Sequence, residues 1–321
     1  MHKILITGGR GFIGSHLVKK VAERDYKIYI VDNLNVENTK NNKNTTASQN
    51  DHSKISIYKE DLRNKKGISY IFHQEKIDTC IHLAAKIDVL DSIKNPYYTF
   101  DVNVKGTLNL LETCSNNKVK NFIFASSASV YGEALKLPIS EDHILEPLSP
   151  YGASKVAGEA LVSTYTKLGK IKNAISLRLF NVYGEGQSLE YAGVIKKFAD
   201  RLSRRLPPII YGDGKQTRDF VSVHDVVNAI ILASELEVKI QPSIGVFNVG
   251  TGIPTSISDL AQQMITISGL NLEPVYELAN KVEIMNSYAD ITRSKNILKF
   301  IPKSHLESDL KDLMDSVTIN K

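Results

Sequence analysis

The stretch that decides the fold is residues 3–16, KILITGGRGFIGSH. Its apolar run at 3–7 predicts a buried strand, and an amphipathic pattern reaching Glu23 predicts the helix that follows. The turn between them is rich in glycine, with Gly8, Gly9, Gly11 and Gly14. Such a turn points backbone N–H groups and a helix N-terminus at one place, where they favour a bound pyrophosphate. The spacing GxxGxxG differs from the commoner GxGxxG, so a glycine turn without a ligand is the alternative interpretation.

The next strand-like run, residues 27–31, leads into Asp32. Asp32 lies near the offset of ~20 residues at which an acid binds the adenosine ribose of a dinucleotide. A carboxylate there accepts hydrogen bonds from both ribose hydroxyls and repels a 2′-phosphate, although Arg10 is able to neutralise such a phosphate. We therefore predict a dinucleotide site that prefers NAD to NADP.

Strand-like runs recur along the first half of the chain, with helical patterns between most of them. They cover residues 3–7, 28–32, 55–59, 77–82, 120–126 and 174–180. This alternation predicts an α/β fold, a doubly wound parallel Rossmann sheet with helices on both faces. Asn95-Pro96 and Ser149-Pro150 each predict a capped helix start, for helices over about 97–115 and 151–168.

The pattern becomes irregular beyond Tyr183, where turn signals are frequent. We predict a Rossmann domain over 1–180 and a smaller C-terminal substrate-binding lobe over 181–321, with segments near 219–250 returning to the first domain. Residues 35–54 are mostly Asn, Lys, Ser and Thr, which predicts a surface loop.

Composition excludes several classes of protein. The chain has 321 residues, is 42% hydrophobic and carries a scattered net charge of +5, and its basic cluster at 201–205 is typical of a solvated helix face rather than a nucleic-acid site. No apolar run approaches the ~20 residues that span a membrane. The start leads directly into a strand, so we expect no signal peptide. Cys80 and Cys114 predict buried, reduced thiols and a cytoplasmic location, and the eight histidines lack ligand spacing, so we predict no metal site.

A catalytic trio is indicated by Tyr151, Lys155 and Ser127. Tyr151 and Lys155 lie one turn apart on the helix that begins at Ser149-Pro150, so they share a face. Ser127 ends the fifth predicted strand, where ligands bind in open α/β sheets. An incidental pair on an exposed helix is the alternative. A second Tyr-x-x-x-Lys match, at 211–215, contains two glycines and an Asp-Gly turn, so we exclude it as a catalytic pair.

The chemistry of the trio is proton transfer coupled to hydride transfer. A free phenol has a pKa near ~10, and we expect the Lys155 ammonium and an oxidised nicotinamide to lower the pKa of Tyr151 towards neutrality. Tyr151 then takes a proton from a sugar hydroxyl while hydride leaves the same carbon. Ser127 holds that oxygen, and Lys155 also binds the nicotinamide ribose.

Further segments match a known family in order along nearly the whole chain. They are TGGRGFIGSH (7–16), DNL (32–34), DL (61–62), HLAA (82–85), NVKGT (103–107), the strand end at Ser127, YGASK (151–155), RLFNVYG (178–184) and YGDGKQTRD (211–219). On these segments the chain resembles the extended short-chain dehydrogenase/reductase family, and within it the nucleotide-sugar epimerases of the UDP-glucose 4-epimerase type.

This resemblance implies roles for individual residues. Those that hold the pyrophosphate are Gly8, Gly11, Phe12, Ile13 and Gly14. Those that bind adenosine are Asp32 and Asn33 at the ribose, and Asp61 and Leu62 at the adenine. Those that line the cofactor groove are Leu83, Ala84, Ala85 and Asn103. Those that bind the UDP-sugar are Asn181 and Arg218 at the diphosphate, Tyr211 at the uracil and Ser127 at the sugar. For Tyr211 a place in the core is the alternative, and for Arg218 a surface ion pair.

Two positions bear on the sugar and the diphosphate. The family's gate beside the sugar's 2-substituent falls on Ser287, next to Tyr288, and a small residue there implies room for an N-acetyl group. A shift of one residue in the alignment would put Tyr288 in the gate. The family's second diphosphate arginine falls on Asn280, beside Lys281, which is able to supply a point charge.

The resemblance implies an NAD-dependent 4-epimerase of a UDP-hexose, plain or N-acetylated, that forms a homodimer through the helices near 97–115 and 151–168. The first alternative is a nucleotide-sugar 4,6-dehydratase, which needs an acid pair where this chain has Ala128 and Ser129. The second is a non-catalytic NAD-binding protein, which has no need of all three residues of the trio.

Overall fold

Strands and helices alternate along the first half of the chain in the computed structural model, which describes residues 1–33, 54–188, 193–236, 245–278 and 284–319. The strands are β1 (His2–Thr7), β2 (Tyr26–Asp32), β3 (Ile55–Lys59), β4 (Thr79–His82), β5 (Asn121–Ser127), β6 (Asn173–Leu179), β7 (Asn181–Tyr183), β8 (Ile209–Tyr211), β9 (Thr217–Ser222), β10 (Val246–Val249), β11 (Pro254–Ser256), β12 (Val275–Glu277) and β13 (Asn286–Ser287). The helices are α1 (Phe12–Ala22), α2 (Lys65–Gln74), α3 (Val89–Lys94), α4 (Pro96–Phe100), α5 (Gly106–Asn116), α6 (Pro150–Lys167), α7 (Val194–Ser203), α8 (Val223–Ser234), α9 (Ile257–Ser268) and α10 (Leu306–Ile319).

The main sheet has seven strands in the order β10-β6-β5-β4-β1-β2-β3. β1 pairs in parallel with β2 on one side and with β4 on the other, so that Ile4 lies beside both Ile28 and Thr79. The strand order therefore reverses between β1 and β4. In an open α/β sheet, ligands bind at the carboxyl ends of the strands beside such a reversal. The predicted doubly wound Rossmann fold is confirmed.

The inner strands are largely buried because helices cover both faces of the sheet, and most of their side chains are apolar. Their side chains join those of α2 and α5 in one core, which includes Leu5, Phe72 and Phe122. Cys80 and Cys114 lie in this core as free thiols, so their predicted burial is confirmed.

The chain divides into two compact units. The first comprises Met1–Val130, Ser149–Arg178 and Val227–Phe247, and the second comprises Tyr131–Leu148, Leu179–Val226 and Asn248–Lys321. The second unit has its own core between α7, α9 and α10, which includes Phe198, Leu260 and Leu310. It also holds a small sheet in which β9 pairs with β7, β11 and β13. Across the described ranges, no helix is long and apolar enough to cross a membrane.

The helix predicted over 97–115 differs from the prediction in two ways. It begins as α4, passes through a π-helical turn at Asp101–Lys105 and continues as α5. The Asn95 side chain does not cap it, because that amide donates to Asp91 Oδ1 at 2.8 Å. The Ser149 cap of α6 is confirmed, since its hydroxyl accepts the Gly152 N–H at 3.1 Å.

Two further sequence features are the basic cluster at 201–205 and the polar stretch at 35–54. The basic cluster at 201–205 lies at the exposed end of α7, where Arg204 pairs with Asp200 at 3.0 Å, as expected of a solvated helix face. The polar stretch predicted as a loop, apart from Lys54, lies outside the described residues, and so do Asn280 and Lys281.

Candidate active site

The glycine turn brings three pieces of backbone close together. Gly8 has φ of 69°, in the left-handed region, and a Cβ added to it would lie 2.8 Å from the backbone nitrogen of Ala84. A Cβ on Gly14 would lie 2.1 Å from the carbonyl oxygen of Gly8. Glycine is therefore required at both positions, since a larger residue at Gly8 would push the turn away from the loop after β4 and one at Gly14 would push α1 away from the turn.

The N-terminus of α1 is open to an anion. Gly11 is its N-cap residue and makes no side-chain cap. The Ser15 N–H donates to the Gly11 carbonyl at 2.9 Å, so by helix geometry the N–H groups of Phe12, Ile13 and Gly14 precede the first intrahelical bond. These groups and the helix dipole fit the pyrophosphate of a dinucleotide.

Asp32 lies beside this turn at the carboxyl end of β2. It is 7% exposed, and its Oδ2 accepts the Arg10 N–H at 3.0 Å. A carboxylate anchored in this way at the edge of the phosphate cradle fits the ribose of NAD. An acid at this position is typical of sites that bind NAD and disfavour the 2′-phosphate of NADP.

Asn33 and Asp61 meet next to it, with Asn33 Nδ2 and Asp61 Oδ2 3.5 Å apart. The guanidinium of Arg63 grips the Asp61 carboxylate with bonds of 2.9 and 2.8 Å, and it lowers the pKa of that carboxyl to about 2. Arg63 was not predicted from the sequence. Leu62 lies buried in the core between them, and adenine binding by Asp61 and Leu62 stays a prediction.

The loop after β4 forms the other side of the groove. Its residues Leu83, Ala84 and Ala85 are partly exposed. The buried Asn103 holds the loop, because its side chain accepts the Lys86 N–H at 2.7 Å and donates to the Lys86 carbonyl at 2.9 Å. It also donates to the Ser154 hydroxyl on α6 at 2.9 Å. Asn103 lies in the π-helical turn, and such turns occur frequently at functional sites.

His82 supports this loop from below and was not predicted from the sequence. It is fully buried between the hydroxyls of Thr7, 2.8 Å from Nδ1, and Thr107, 2.9 Å from Nε2. Burial lowers the pKa of His82 to about 3, so the ring is neutral. Because the Thr107 hydroxyl donates to the Asn103 carbonyl, it accepts from Nε2, and Nδ1 is left as an acceptor. The sequence signal for this role is a histidine at the end of a buried strand, where its ring nitrogens need hydrogen-bond partners.

The structure brings Ser127, Tyr151 and Lys155 together. Lys155 Nζ lies 5.8 Å from the centre of the Tyr151 ring and donates to the Ala125 carbonyl on β5 at 2.8 Å. The Ser127 hydroxyl lies close enough to the Tyr151 phenol to lower the pKa of that phenol, and it accepts the Ser129 N–H at 3.2 Å. The phenol, the hydroxyl and the ammonium thus meet at the carboxyl end of β5.

The expected effect of Lys155 on Tyr151 is not produced by the protein's own groups. Burial raises the pKa of the Tyr151 phenol, and the nearby Ser127 hydroxyl lowers it only in part. The Lys155 ammonium is turned towards the Ala125 carbonyl and lies 4.9 Å from the centre of the Phe124 ring. Burial lowers the pKa of Lys155 to about 8, while the Glu159 carboxylate acts to raise it.

The predicted UDP-sugar residues other than Ser127 lie in the second unit. Tyr211 ends β8 and is 41% exposed, which excludes the alternative that it is a core residue. Gly212 and Gly214 follow it, both with φ of 77°, so the excluded 211–215 match lies in a turn and not on a helix. Asn181 is exposed at the start of β7.

Arg218 and Ser287 lie beside each other in paired strands. β13 pairs in parallel with β9 so that Ser287 is opposite Arg218, and Ser287 is 8% exposed. The buried Asp219 carboxylate accepts the Ala289 N–H at 3.1 Å, which fixes this register, and burial raises its pKa. The guanidinium of Arg218 donates to the Thr217 carbonyl at 2.8 Å.

A doubly wound sheet with this glycine turn, an acid after β2 and a Tyr-x-x-x-Lys pair on the helix after β5 defines a dinucleotide-dependent enzyme of the short-chain dehydrogenase/reductase class. Residues 4–250 match the NAD dependent epimerase/dehydratase family, and the chain belongs to that family. Its cofactor is NAD, and the glycine turn and Asp32 fit that cofactor.

Three known proteins illustrate the likeness. A putative UDP-glucose 4-epimerase of Methanocaldococcus jannaschii is 39% identical over 97% of this chain and 97% of its own. The UDP-glucose 4-epimerase of Thermotoga maritima, solved with UDP-glucose, is 35% identical over 99% of this chain and 98% of its own, with a TM-score of 0.89. The UDP-N-acetylglucosamine 4-epimerase of Methanobrevibacter ruminantium, solved with UDP-N-acetylmuramic acid, is 31% identical over 100% of this chain and 99% of its own, with a TM-score of 0.89.

Proposed function

We propose that this protein is a UDP-sugar 4-epimerase that inverts carbon 4 of the hexose through a transient 4-keto sugar. The observation that carries the proposal is that Ser127, Tyr151 and Lys155 lie together at the carboxyl end of β5. The names of the similar epimerases from the three organisms support it.

Tyr151 is the proton acceptor and donor in this mechanism. Its phenolate takes the proton of the sugar's 4-hydroxyl as the C4–H bond breaks, and it returns the proton when hydride re-enters at the opposite face. Ser127, which lies beside the phenol, donates to the C4 oxygen and holds it in line with the Tyr151 oxygen. Lys155 supplies a positive charge beside both. NAD, when bound, accepts the hydride and gives it back, so the cycle has no net oxidation.

A 4,6-dehydratase is the main alternative within the family. Elimination of water across carbons 5 and 6 requires an acid and a base in addition to the C4 machinery. The two residues after Ser127 are Ala128 and Ser129, and neither side chain titrates in the neutral range. The Ser129 backbone is also committed to Ser127 through its N–H. This chain therefore has the residues for the oxidation step and lacks the acid pair for elimination.

We further propose that N-acetylated and plain hexoses are both substrates, with Ser287 as the residue that sets the width of the sugar pocket. Its register opposite Arg218 puts the hydroxymethyl side chain beside a predicted diphosphate ligand. A tyrosine would occupy the space that an acetamide needs. The UDP-bound residues are proposed to be Asn181, Tyr211 and Arg218.

Turnover of four substrates tests the function and the pocket together. We expect the unmodified protein to interconvert UDP-glucose with UDP-galactose and UDP-N-acetylglucosamine with UDP-N-acetylgalactosamine. Ser287→Tyr should lose at least about 10-fold of its activity on the N-acetylated pair and keep activity on the plain pair, because one filled subsite of this size is worth about 1–3 kcal/mol. Tyr288→Phe is the control and should leave activity on both substrate pairs unchanged. Turnover of the plain pair alone by the unmodified protein would show that Ser287 does not set the pocket width, and release of a 4-keto-6-deoxy product would identify a dehydratase.

The proposed homodimer has a candidate surface in the first unit. Apolar side chains are exposed along the stretch predicted as the first dimer helix, 97–115, among them Tyr97 at 92%, Phe100 at 40% and Leu108 at 37%. Exposed apolar clusters favour contact with a partner. We expect sedimentation to give twice the chain mass, and Tyr97→Glu with Leu108→Glu to give a monomer. A native monomer at micromolar concentration would exclude this surface as a stable dimer contact.

A further inference from the structure

Helix α6 carries a third ionisable side chain on the face of the catalytic pair. Tyr151, Lys155 and Glu159 follow one another at intervals of four residues, so they form one stripe along the helix. Glu159 is 6% exposed, and neither the proposed reaction nor the cofactor-binding prediction uses it.

Glu159 joins α6 to the ends of two strands. The Arg178 guanidinium on β6 grips it, with Nη2 2.7 Å from Oε2 and Nε 2.9 Å from Oε1. The Ser126 hydroxyl on β5 also donates to Oε1, and Ser126 directly precedes Ser127. The Glu159 carboxylate therefore links the helix that carries Tyr151 to the strand end that carries Ser127.

The neighbouring contacts leave α6 little freedom. A Cβ on Gly158 would lie 2.5 Å from the ring of Phe124, so the helix packs directly on β5. Lys155 is 4% exposed and reaches the Ala125 carbonyl on the same strand. A small outward shift of α6 would carry Tyr151 and Lys155 away from Ser127 together.

The charges around Lys155 assign a second effect to Glu159. The groups that act on the ammonium from its own helix are Tyr151 and Glu159, His82 faces it from β4, and Arg178 lies beyond Glu159 on β6. His82 is neutral and Arg178 is a cation. Glu159 is the anion of this set, and it opposes the effect of burial on the Lys155 pKa.

We propose that Glu159 is a positioning residue for the Ser127–Tyr151–Lys155 site. Through Arg178 and Ser126 it sets how closely α6 lies on β5, and its carboxylate keeps the Lys155 ammonium charged. The alternative is a structural ion pair that stabilises the fold and has no influence on Lys155.

The pH dependence of NAD affinity separates the two, because Lys155 is proposed to bind the nicotinamide ribose and its ammonium is a stronger hydrogen-bond donor than its neutral amine. In the unmodified protein we expect affinity to fall as pH rises through the Lys155 pKa of about 8. Glu159→Gln leaves two cations without an anion, so the fall should begin at least about one pH unit lower. Arg178→Gln leaves the anion without its partner, so the fall should begin at higher pH. Glu159→Asp keeps the charge and should restore the original profile.

The proposal predicts that the pH profile of NAD affinity shifts in opposite directions in Glu159→Gln and Arg178→Gln. If the ion pair were purely structural, both variants would lose stability and neither profile would shift. The NMR titration of the Lys155 Cε signal measures the same displacement without cofactor. The matched control is Glu112→Gln on α5, which removes the exposed ion-pair partner of Lys65 on α2. This variant should not shift the Lys155 pKa or the pH profile of NAD affinity. Unchanged profiles in folded Glu159→Gln and Arg178→Gln would overturn the proposal, as would shifts of the same sign. If either variant fails to fold, Ser126→Ala tests the helix contact alone and should lower turnover at least about 3-fold at unchanged NAD affinity.

The effect of Glu159 on turnover rests on the proposed epimerase function, whereas its effect on NAD affinity does not. An absence of UDP-sugar turnover together with the opposite pH shifts would reject the function and keep the role of Glu159. Normal UDP-sugar turnover in the unmodified protein, with no pH shift in the variants, would keep the function and reject the role of Glu159.

Discussion

Tyr151→Phe is expected to lower turnover of UDP-sugars by about 10²-fold or more while NAD affinity and stability stay close to those of the unmodified protein. The substitution removes one oxygen, the atom that meets Ser127 and exchanges the proton, and it keeps the ring that packs in the site. Turnover is measured at saturating substrate, NAD affinity by titration and stability by thermal unfolding.

A matched control lies on the same helix. Tyr165 is also largely buried on α6, and its hydroxyl interacts with Glu112 away from the trio. Tyr165→Phe therefore removes the same atom type from the same helix and should leave turnover within about 3-fold. Turnover of Tyr151→Phe at a level near that of Tyr165→Phe would reject Tyr151 as the proton acceptor.

Gly14→Ala is expected to lower NAD affinity by about 10²-fold, equivalent to about 2.8 kcal/mol of binding free energy. The added Cβ would lie 2.1 Å from the Gly8 carbonyl and 2.7 Å from the Gly9 Cα, and both are backbone atoms that cannot rotate away. The start of α1 must then move, and the N–H groups that face the pyrophosphate move with it. Isothermal titration with NAD measures the loss.

Alanine substitutions at two other glycines test whether the loss of NAD affinity follows the closeness of the added Cβ to the backbone. A Cβ on Gly11 would approach the Gly8 carbonyl only to 3.3 Å, so Gly11→Ala should weaken NAD binding less than Gly14→Ala does. Gly193 caps α7 in the second unit, where a Cβ would meet only the end of the Gln187 side chain at 4.0 Å, and Gly193→Ala should have no effect on NAD binding. Equal affinities in all three variants would contradict the role of the close approach.

The elements that the sequence predicts correctly are those whose signal is local. The runs that become β1, β2 and β5 are apolar because helices cover both faces of the sheet, and this pattern is visible without any neighbour. Ser149 caps α6 through a bond to Gly152, three residues away. The close approach of Gly14 to Gly8 and Gly9 involves atoms within a few residues, and the glycine spacing together with Asp32 predicted a dinucleotide site.

The details that the sequence did not predict depend on residues far apart in the chain. The π-helical turn holds Asn103 against Lys86, 17 residues away, and Ser154, 51 residues away. Asn95 was expected to cap a helix, but Asp91 from the preceding helix takes its side chain. His82 and Glu159 were not predicted because each acquires its role only from partners on other elements.

The catalytic site divides in the same way. Residue types and spacing were sufficient to predict that Ser127, Tyr151 and Lys155 meet, because a parallel strand end and the first turn of the helix that follows it have a fixed relation in this fold. The pKa values of Tyr151 and Lys155 depend on how deeply the two residues are buried and on which acceptor the Lys155 ammonium donates to. Tertiary structure buries Tyr151 so that its pKa rises, turns Lys155 to the Ala125 carbonyl and sets Glu159 against Arg178.

The sequence by itself thus determined the order of the elements and the glycine turn, and it placed the proposed reacting side chains, because hydrophobic periodicity, glycine conformation and helix spacing act over short stretches of chain. Tertiary structure alone decided the charge state and exact placement of those side chains. Desolvation and hydrogen-bond partners arise only when distant segments pack, and they determine whether a phenol or an ammonium holds its proton.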